Sequence, residues 1–273
     1  MLRAADVSCR FGRATVLDGV TLRVPRGGIT GVLGPNGSGK TTLLRILAGA
    51  LAPATGRVTL DDEPILSIAK RRLARRLAVV AQEIHPVFDY TVLDLALMGR
   101  YAHLGPFGFE TASDLLAVRN ALAATGTADL EDRHFDTLSG GEKQRVVIAS
   151  ALAQFEDEAT DGARLLILDE PTAALDLHYQ LEVAQLLRHL ADDRGLTLLV
   201  STHDLQLAWQ VCDRVVLLQD GRVLADGPTA DTLTPAHLRT LYGVQVDPIT
   251  HADGTISLVP VPLVNRSGRE AAR

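Results

Sequence analysis

The chain has 273 residues, 47% hydrophobic and 22% charged, with a net charge of −6 and a pI near 5.7. Such a chain can bury a sizeable core as one large or two small domains, and its composition is that of an ordinary globular protein. The acidic balance gives no support to a nucleic-acid partner, and no run of 18 apolar residues exists to cross a bilayer.

In chain order, Met1 to Arg10 alternates apolar and polar residues without the central apolar stretch of a secretory leader, so none is expected. Val16-Leu17 and Val20 to Val24 form short apolar or alternating runs bounded by Gly19, Pro25 and Gly27-Gly28, which predicts β-structure. Ile29 to Leu33 predicts a buried strand. Residues 34–41 then read Gly34, Pro35, Asn36, Gly37, Ser38, Gly39, Lys40 and Thr41, and fit G-x-x-x-x-G-K-[ST]. From Thr42 to Ala50, Leu43, Leu44, Ile46 and Leu47 fall at helical spacing. A loop on a strand-to-helix turn aims backbone N–H groups and the positive helix end at one point, which suits a polyphosphate. Lys40 supplies a charge for the β- and γ-phosphates, and the Thr41 hydroxyl is a ligand for Mg²⁺. The chain has three lysines, Lys40, Lys70 and Lys143, among 27 Lys plus Arg, so a lysine here departs from its default cation.

Gly56 to Leu60, Asp61-Asp62 and Ile65-Leu66 read as a further strand and turn, and Val79-Val80 as a short apolar stretch stopping at Gln82. From about residue 87 to 161 leucine- and alanine-rich helical stretches dominate: Val92 to Met98, Leu115 to Ala124 and Gly141 to Gln154, with a loop at 105–108. Within this region Leu138-Ser139-Gly140-Gly141-Glu142 opens a helix whose serine and glycines offer a second anion-binding terminus, although Ser-x-x-Glu alone is a capping box. The acidic stretch 156–162 reads as a solvated loop.

Parallel-sheet patterning returns with Leu165 to Leu168, a buried strand that ends in Asp169 and Glu170. A carboxylate there can hold Mg²⁺, and its neighbour can polarise a water. Leu181 to Leu190 predicts an amphipathic helix and Leu196 to Ser201 a strand. His203 follows at the carboxyl edge, where ligands of a parallel sheet bind. Arg214 to Leu218 and Arg222 to Ala225 predict a hairpin around Asp220-Gly221. The tail after Gly243 reads as irregular, frayed over 268–273. Cys9 and Cys212 suit a reducing compartment as small buried hydrophobes, with no disulfide or metal spacing.

The ordered set of residues 34–42, Gln82, 138–144, 165–170, 174–176 and His203 resembles the nucleotide-binding subunit of ABC transporters over about residues 1–242. The resemblance implies an α/β fold: a P-loop NTPase (RecA-like) core with an N-terminal antiparallel β-subdomain and a helical subdomain inserted at about 87–161. It leaves 243–273 as a C-terminal tail. It implies ATP and Mg²⁺, with Phe11 stacked on adenine (a core position is the alternative), residues 34–42 including Thr42 on the phosphates, and Thr41, Gln82 and Asp169 on the metal. Glu170 would be the base and His203 a γ-phosphate contact. Ser139, Gly140 and Gly141 would complete the site of a second subunit in a head-to-tail homodimer, with Asp176 coupling the two sites. Two transmembrane permease subunits would dock near residues 82–100, a periplasmic substrate-binding protein would act indirectly, and no nucleic acid would be involved. The subunit would sit peripherally on the cytoplasmic face of the bacterial inner membrane.

Residues 98–105, 233–244 and the long stretch 154–163 are similar to importers of iron chelates, haem and cobalamin. They favour haem (hemin) import, with ferric siderophore or cobalamin as the alternative and a soluble non-transport ABC ATPase further off. His85, His103 and His178 are expected to be surface groups and not haem ligands. Two departures from the family pattern are Ala173-Ala174, where serine is common, and Ala81, where proline is frequent.

Overall fold

A computed structural model describes residues 1–82, 88–105, 108–155, 164–173, 175–250 and 256–261. Four strands open the architecture: β1 (Leu2–Phe11), β2 (Ala14–Val24) and β3 (Gly28–Leu33), then, after helix α1 (Lys40–Leu47), β4 (Thr55–Leu60). Next come β5 (Glu63–Pro64), α2 (Lys70–Ala74) and β6 (Leu77–Val80). The helical region holds α3 (Val92–Leu97), α4 (Ala112–Ala124) and α5 (Gly140–Ala153). Then follow β7 (Leu165–Asp169), α6 (Leu177–Asp192), β8 (Thr197–Thr202), α7 (Leu205–Val211), β9 (Arg214–Gln219) and β10 (Arg222–Pro228). The chain continues through α8 (Thr229–Thr232), α9 (Pro235–Tyr242), β11 (Gln245–Thr250) and β12 (Ile256–Val261).

The strands sort into an antiparallel sheet of order β2-β1-β4-β5, a six-stranded sheet of order β10-β9-β3-β8-β7-β6, and the β11-β12 hairpin. In the large sheet β3 lies parallel between β8 and β9, β7 is parallel to both β6 and β8, and only β10 runs antiparallel, on β9. The central strands read as unbroken apolar runs because both faces are covered. Leu166 and Leu168 of β7 join the cluster under α5 and α6, while Leu165 and Ile167 join the cluster around α1 and the antiparallel sheet. The parallel pairing puts the carboxyl ends of β3, β7 and β8 on one edge, where the functional loops emerge.

Three local expectations differ. Val16-Leu17 and Val20 to Val24 belong to one strand: Gly19, at φ 63°, makes a bulge whose N–H donates to the Ser8 hydroxyl at 3.0 Å. Residues 65–67 form a 3₁₀ turn instead of a strand, with Ile65 buried and the Ser67 hydroxyl donating to Pro64 O at 2.7 Å. The tail is not irregular over 245–250 and 256–261, which are both strands. The hairpin packs Val246 and Leu258 into the main core, and the short-range pattern failed because the exposed Asp247 and Pro248 interrupt it. The frayed end expected at 268–273, the acidic loop 156–162 and most of the stretch 154–163 lie outside the described residues, as does Ala174.

The inserted helices are tied to the sheet by polar anchors. Gln154 donates to the carbonyls of Ala74 and Leu77, bridging the end of α5 to the start of β6. A side chain at Gly99 would meet the Ser150 carbonyl at 2.0 Å, so only glycine permits that turn of chain against α5. Both cysteines are free and buried, and burial pushes the Cys212 thiol up to about 12.

Candidate active site

The phosphate-type loop is shaped by its glycines. A Cβ at Gly34 would lie 2.2 Å from the Leu218 carbonyl, and Gly37 and Gly39 adopt φ values of 80° and 102°. Gly39 occupies the cap position of α1, and no acidic residue stands in the first turn to compete for the helix end. Ser38 donates its N–H to Pro35 O at 3.2 Å, and its own carbonyl accepts the Gly221 N–H at 3.1 Å, which ties the loop to the β9-β10 turn. The buried Ser38 hydroxyl has no partner among the described residues, a donor left over for a ligand.

Lys40 is 6% exposed. Its ammonium donates to Gly34 O at 2.9 Å and Pro35 O at 3.4 Å, and lies 3.5 Å from Glu170 Oε1. Such a cation, held by carbonyls around the loop, is a compact charge aimed at phosphate oxygens.

At the end of β7, Asp169 is buried and accepts the Ser201 hydroxyl at 2.5 Å. Glu170 adopts φ 48°, an uncommon conformation for a side-chain-bearing residue, and its N–H is held by Ser201 O at 3.1 Å and Ser201 Oγ at 3.0 Å. Ser201 therefore fixes both acidic residues, with its own place set by the parallel pairing of β7 and β8. His203, beyond β8, places Nδ1 3.3 Å from Glu170 Oε2. Asp204 caps α7 by accepting the Gln206 and Leu207 N–H groups, so the histidine is held at the start of a capped helix.

A cavity of about 590 Å³ brings these parts together. Asn36, Gly37 and Gly39 to Thr42 line it with Gln82, Glu170 and His203. Val16 and Ala173 complete the wall, and neither stood out in the sequence as ligand-facing. Thr41 and Gln82 share the cavity, and Asp169 sits behind it, next to Glu170 in the chain. Their hydroxyl, amide and carboxylate oxygens suit a hard cation. Among the described residues no group of three or more His, Cys, Asp and Glu forms a cage.

Other predicted residues lie elsewhere. Phe11 is 54% exposed at the end of β1, so it is not a core residue, and it does not line the cavity. Ser139, Gly140, Gly141 and Asp176 also lie off it. Ser139 caps α5 in a full capping box: it accepts the Glu142 N–H at 3.3 Å, and its own N–H donates to Glu142 at 2.7 Å. These bonds from the Ser139 backbone and side chain hold the Glu142 carboxyl below its usual range, with Arg133 and Arg145 adding to the effect. Gly141 is required by packing, because a Cβ there would meet the Tyr179 ring at 2.2 Å. Asp176 stands exposed before α6 without a side-chain cap.

Arg100, counted in the expected permease groove, is buried instead: its Nε donates to Asp114 at 2.8 Å and its Nη1 to Ala153 O at 2.7 Å. His103 lies 2.9 Å from the Gln154 carbonyl and His178 3.3 Å from Glu182, while His85 falls outside the described residues. No helix among the described residues is long and apolar enough to cross a membrane.

Residues 17–173 match the family described as ABC transporter. The hemin import ATP-binding protein HmuV of Bordetella pertussis is 42% identical over 252 residues, covering 92% of this chain and 95% of the relative. The ferric enterobactin transport ATP-binding protein FepC of Escherichia coli is 36% identical over 264 residues, covering 95% and 94%. Among solved structures, the dimeric bacterial ABC transporter cassette MJ0796 aligns with a TM-score of 0.69 at 26% identity, covering 84% of this chain and 99% of that one.

Proposed function

Because this chain belongs to the ABC transporter family, as an ATP-hydrolysing subunit of an importer, we propose that it drives haem uptake. In this reading residues 1–242 form the ATP-binding domain and 243–273 a C-terminal tail. The convergence of Lys40, Glu170 and His203 on one cavity carries the catalytic assignment. The cargo assignment rests on the likeness to a hemin import subunit over nearly the whole chain. The likeness to FepC favours a ferric siderophore as the second reading.

Phosphoryl transfer asks the protein mainly for positioning and charge stabilisation. The N–H groups of residues 36–42 and the α1 terminus would cradle the triphosphate, with Lys40 on its terminal oxygens. Thr41, Gln82 and Asp169 would hold Mg²⁺, which when bound neutralises charge building on the phosphates. Glu170, swung out of the strand by its positive φ, would take a proton from the attacking water, and His203 would hold the γ-phosphate side. The exposed Phe11 would lie against adenine.

Ser139, Gly140 and Gly141 form a second helix terminus off this cavity, so a partner subunit is their natural user. Two subunits placed head to tail would each lend half of every site, with the exposed Asp176 and Leu177 at the junction. Exposed rings at Phe88 and Tyr101 flank the place where a permease would dock. A periplasmic binding protein would deliver haem to that permease, leaving this subunit on the cytoplasmic face.

The test is the subunit reassembled with its permease in liposomes. We expect phosphate release that depends on ATP and Mg²⁺, together with haem transport. Transport of a ferric siderophore but not haem would overturn the cargo, and absence of phosphate release would overturn the catalytic reading.

A further inference from the structure

Ser139 and Gly141 stand at the start of α5, and their capping box fixes only the shape of that turn. Its two bonds run between Ser139 and Glu142, inside the helix end itself. Where the turn points is decided by contacts from other elements. From Val146 onward most of α5 is buried in the main core, but among residues 140–145 Gly141 alone is buried. The ring of Tyr179, in the first turn of α6, lies directly on it. A Cβ at Gly141 would come 2.2 Å from Tyr179 Cδ1, 2.6 Å from Cγ and 3.0 Å from Cβ.

One turn further along both helices, Arg145 pairs with Glu182, which also holds His178 at 3.3 Å. Those side chains are long and partly exposed, so they follow a displaced helix and contribute little to placing it. Tyr179 differs, because its ring is rigid. The clash with a side chain at 141 reaches back to the tyrosine Cβ, so spinning the ring about its own axis gives no relief. The start of α6 is itself held, since Thr172 O accepts the Leu175 N–H at 3.2 Å and the Gln180 side chain at 3.4 Å.

We propose that Tyr179 is a positioning residue: seated on Gly141, its ring sets the place of the Ser139–Gly141 terminus, so that these groups meet the γ-phosphate held by the partner subunit. The idea rests on the two-subunit reading, and it deepens that reading by naming what aims the terminus. The ring carbons make the contact, so the hydroxyl has no part in it. Tyr179 does not line the cavity of its own chain, so ATP binding by a single subunit does not use it.

In the assembled subunit–permease complex, Tyr179→Ala should lower kcat by at least roughly tenfold with KM for ATP unchanged, and Tyr179→Phe should stay within about twofold of wild type. Gly141→Ala keeps the N–H but drives the ring off, and should lower kcat about a hundredfold. Adding Tyr179→Ala to the same chain should return Gly141→Ala to the level of Tyr179→Ala alone, the non-additivity of two groups in contact. A Tyr179→Ala complex with wild-type kcat, a Tyr179→Phe as damaged as Tyr179→Ala, or a double variant no better than Gly141→Ala would each overturn the proposal. So would loss of ATP binding by the isolated Tyr179→Ala subunit, which would make the ring a prop of the fold. Wild-type turnover in Ser139→Arg would instead sink the two-subunit reading itself.

Discussion

Asp114→Ala puts a number on what holds the inserted helices together. Asp114 joins three elements: it accepts Arg100 Nε at 2.8 Å and closes the cap of α4 by accepting the Thr111 N–H at 2.9 Å and hydroxyl at 2.7 Å. Arg100 in turn reaches Ala153 O at the end of α5. Burial pushes the Asp114 carboxyl up, but the Thr111 side chain and backbone and the Arg100 guanidinium outweigh it and hold it at about 2, against 3.8 ordinarily. At 1.36 kcal/mol per unit, that shift corresponds to about 2 kcal/mol. Because the folded-state value is depressed, this stability is complete above about pH 4 and is lost as pH falls toward 2. Removing the carboxylate also opens the α4 cap, so the cost at neutral pH should be at least about 2 kcal/mol. Urea unfolding at pH 7 should show that loss, and between pH 4 and 2 the variant should shed about 2 kcal/mol less than wild type. With α5 loosened, phosphate release by the assembled complex should fall while ATP affinity of the isolated subunit holds. A loss below about 0.5 kcal/mol at pH 7 would refute the reasoning, since it would place the pair among ion pairs that contribute little.

Glu170→Gln should keep ATP binding and lower turnover by at least about a hundredfold, leaving a nucleotide-trapped dimer by size-exclusion chromatography; wild-type hydrolysis would remove Glu170 as the base. Ser139→Arg deletes a cap bond worth about 1 kcal/mol, too little to unfold the subunit, yet should abolish hydrolysis with ATP affinity of the monomer unchanged. If turnover survived it, the two-subunit site would fail. Gly34→Ala forces a Cβ to within 2.2 Å of the Leu218 carbonyl, a backbone atom that cannot swing aside. ATP affinity measured by fluorescence titration should drop more than tenfold, and unchanged affinity would show that the loop tolerates displacement.

Residues whose role is set by a short stretch of chain were legible from the sequence. Gly37, Gly39, Lys40 and Thr41 belong to one strand-to-helix turn, and the Leu165 to Glu170 run carries its burial and carboxylates together. What escaped was whatever depends on a distant neighbour. Ser201 looks like one polar residue ending an apolar strand, and only the β7-β8 pairing reveals that it holds both Asp169 and Glu170. Gly141 reads as an open N–H, whereas the Tyr179 ring is what demands it. Val16 looks like a strand residue and proves to wall the cavity, and Arg100 looks like groove surface and proves to be an internal anchor.

The sequence by itself determined the chemistry available: a phosphate-binding turn, an acidic strand end, a histidine after a strand and a second capped helix. Each is encoded by residues adjacent in the chain, whose backbone conformations and caps are set locally. The tertiary structure alone decided which of these meet. Parallel pairing of β3, β7 and β8 brings the loop, the carboxylates and His203 to one edge, while α5 holds Ser139 away from it. It also decided that the Tyr179 ring lies on Gly141, because strand register and side-chain volume are properties of the packed whole and not of any one segment.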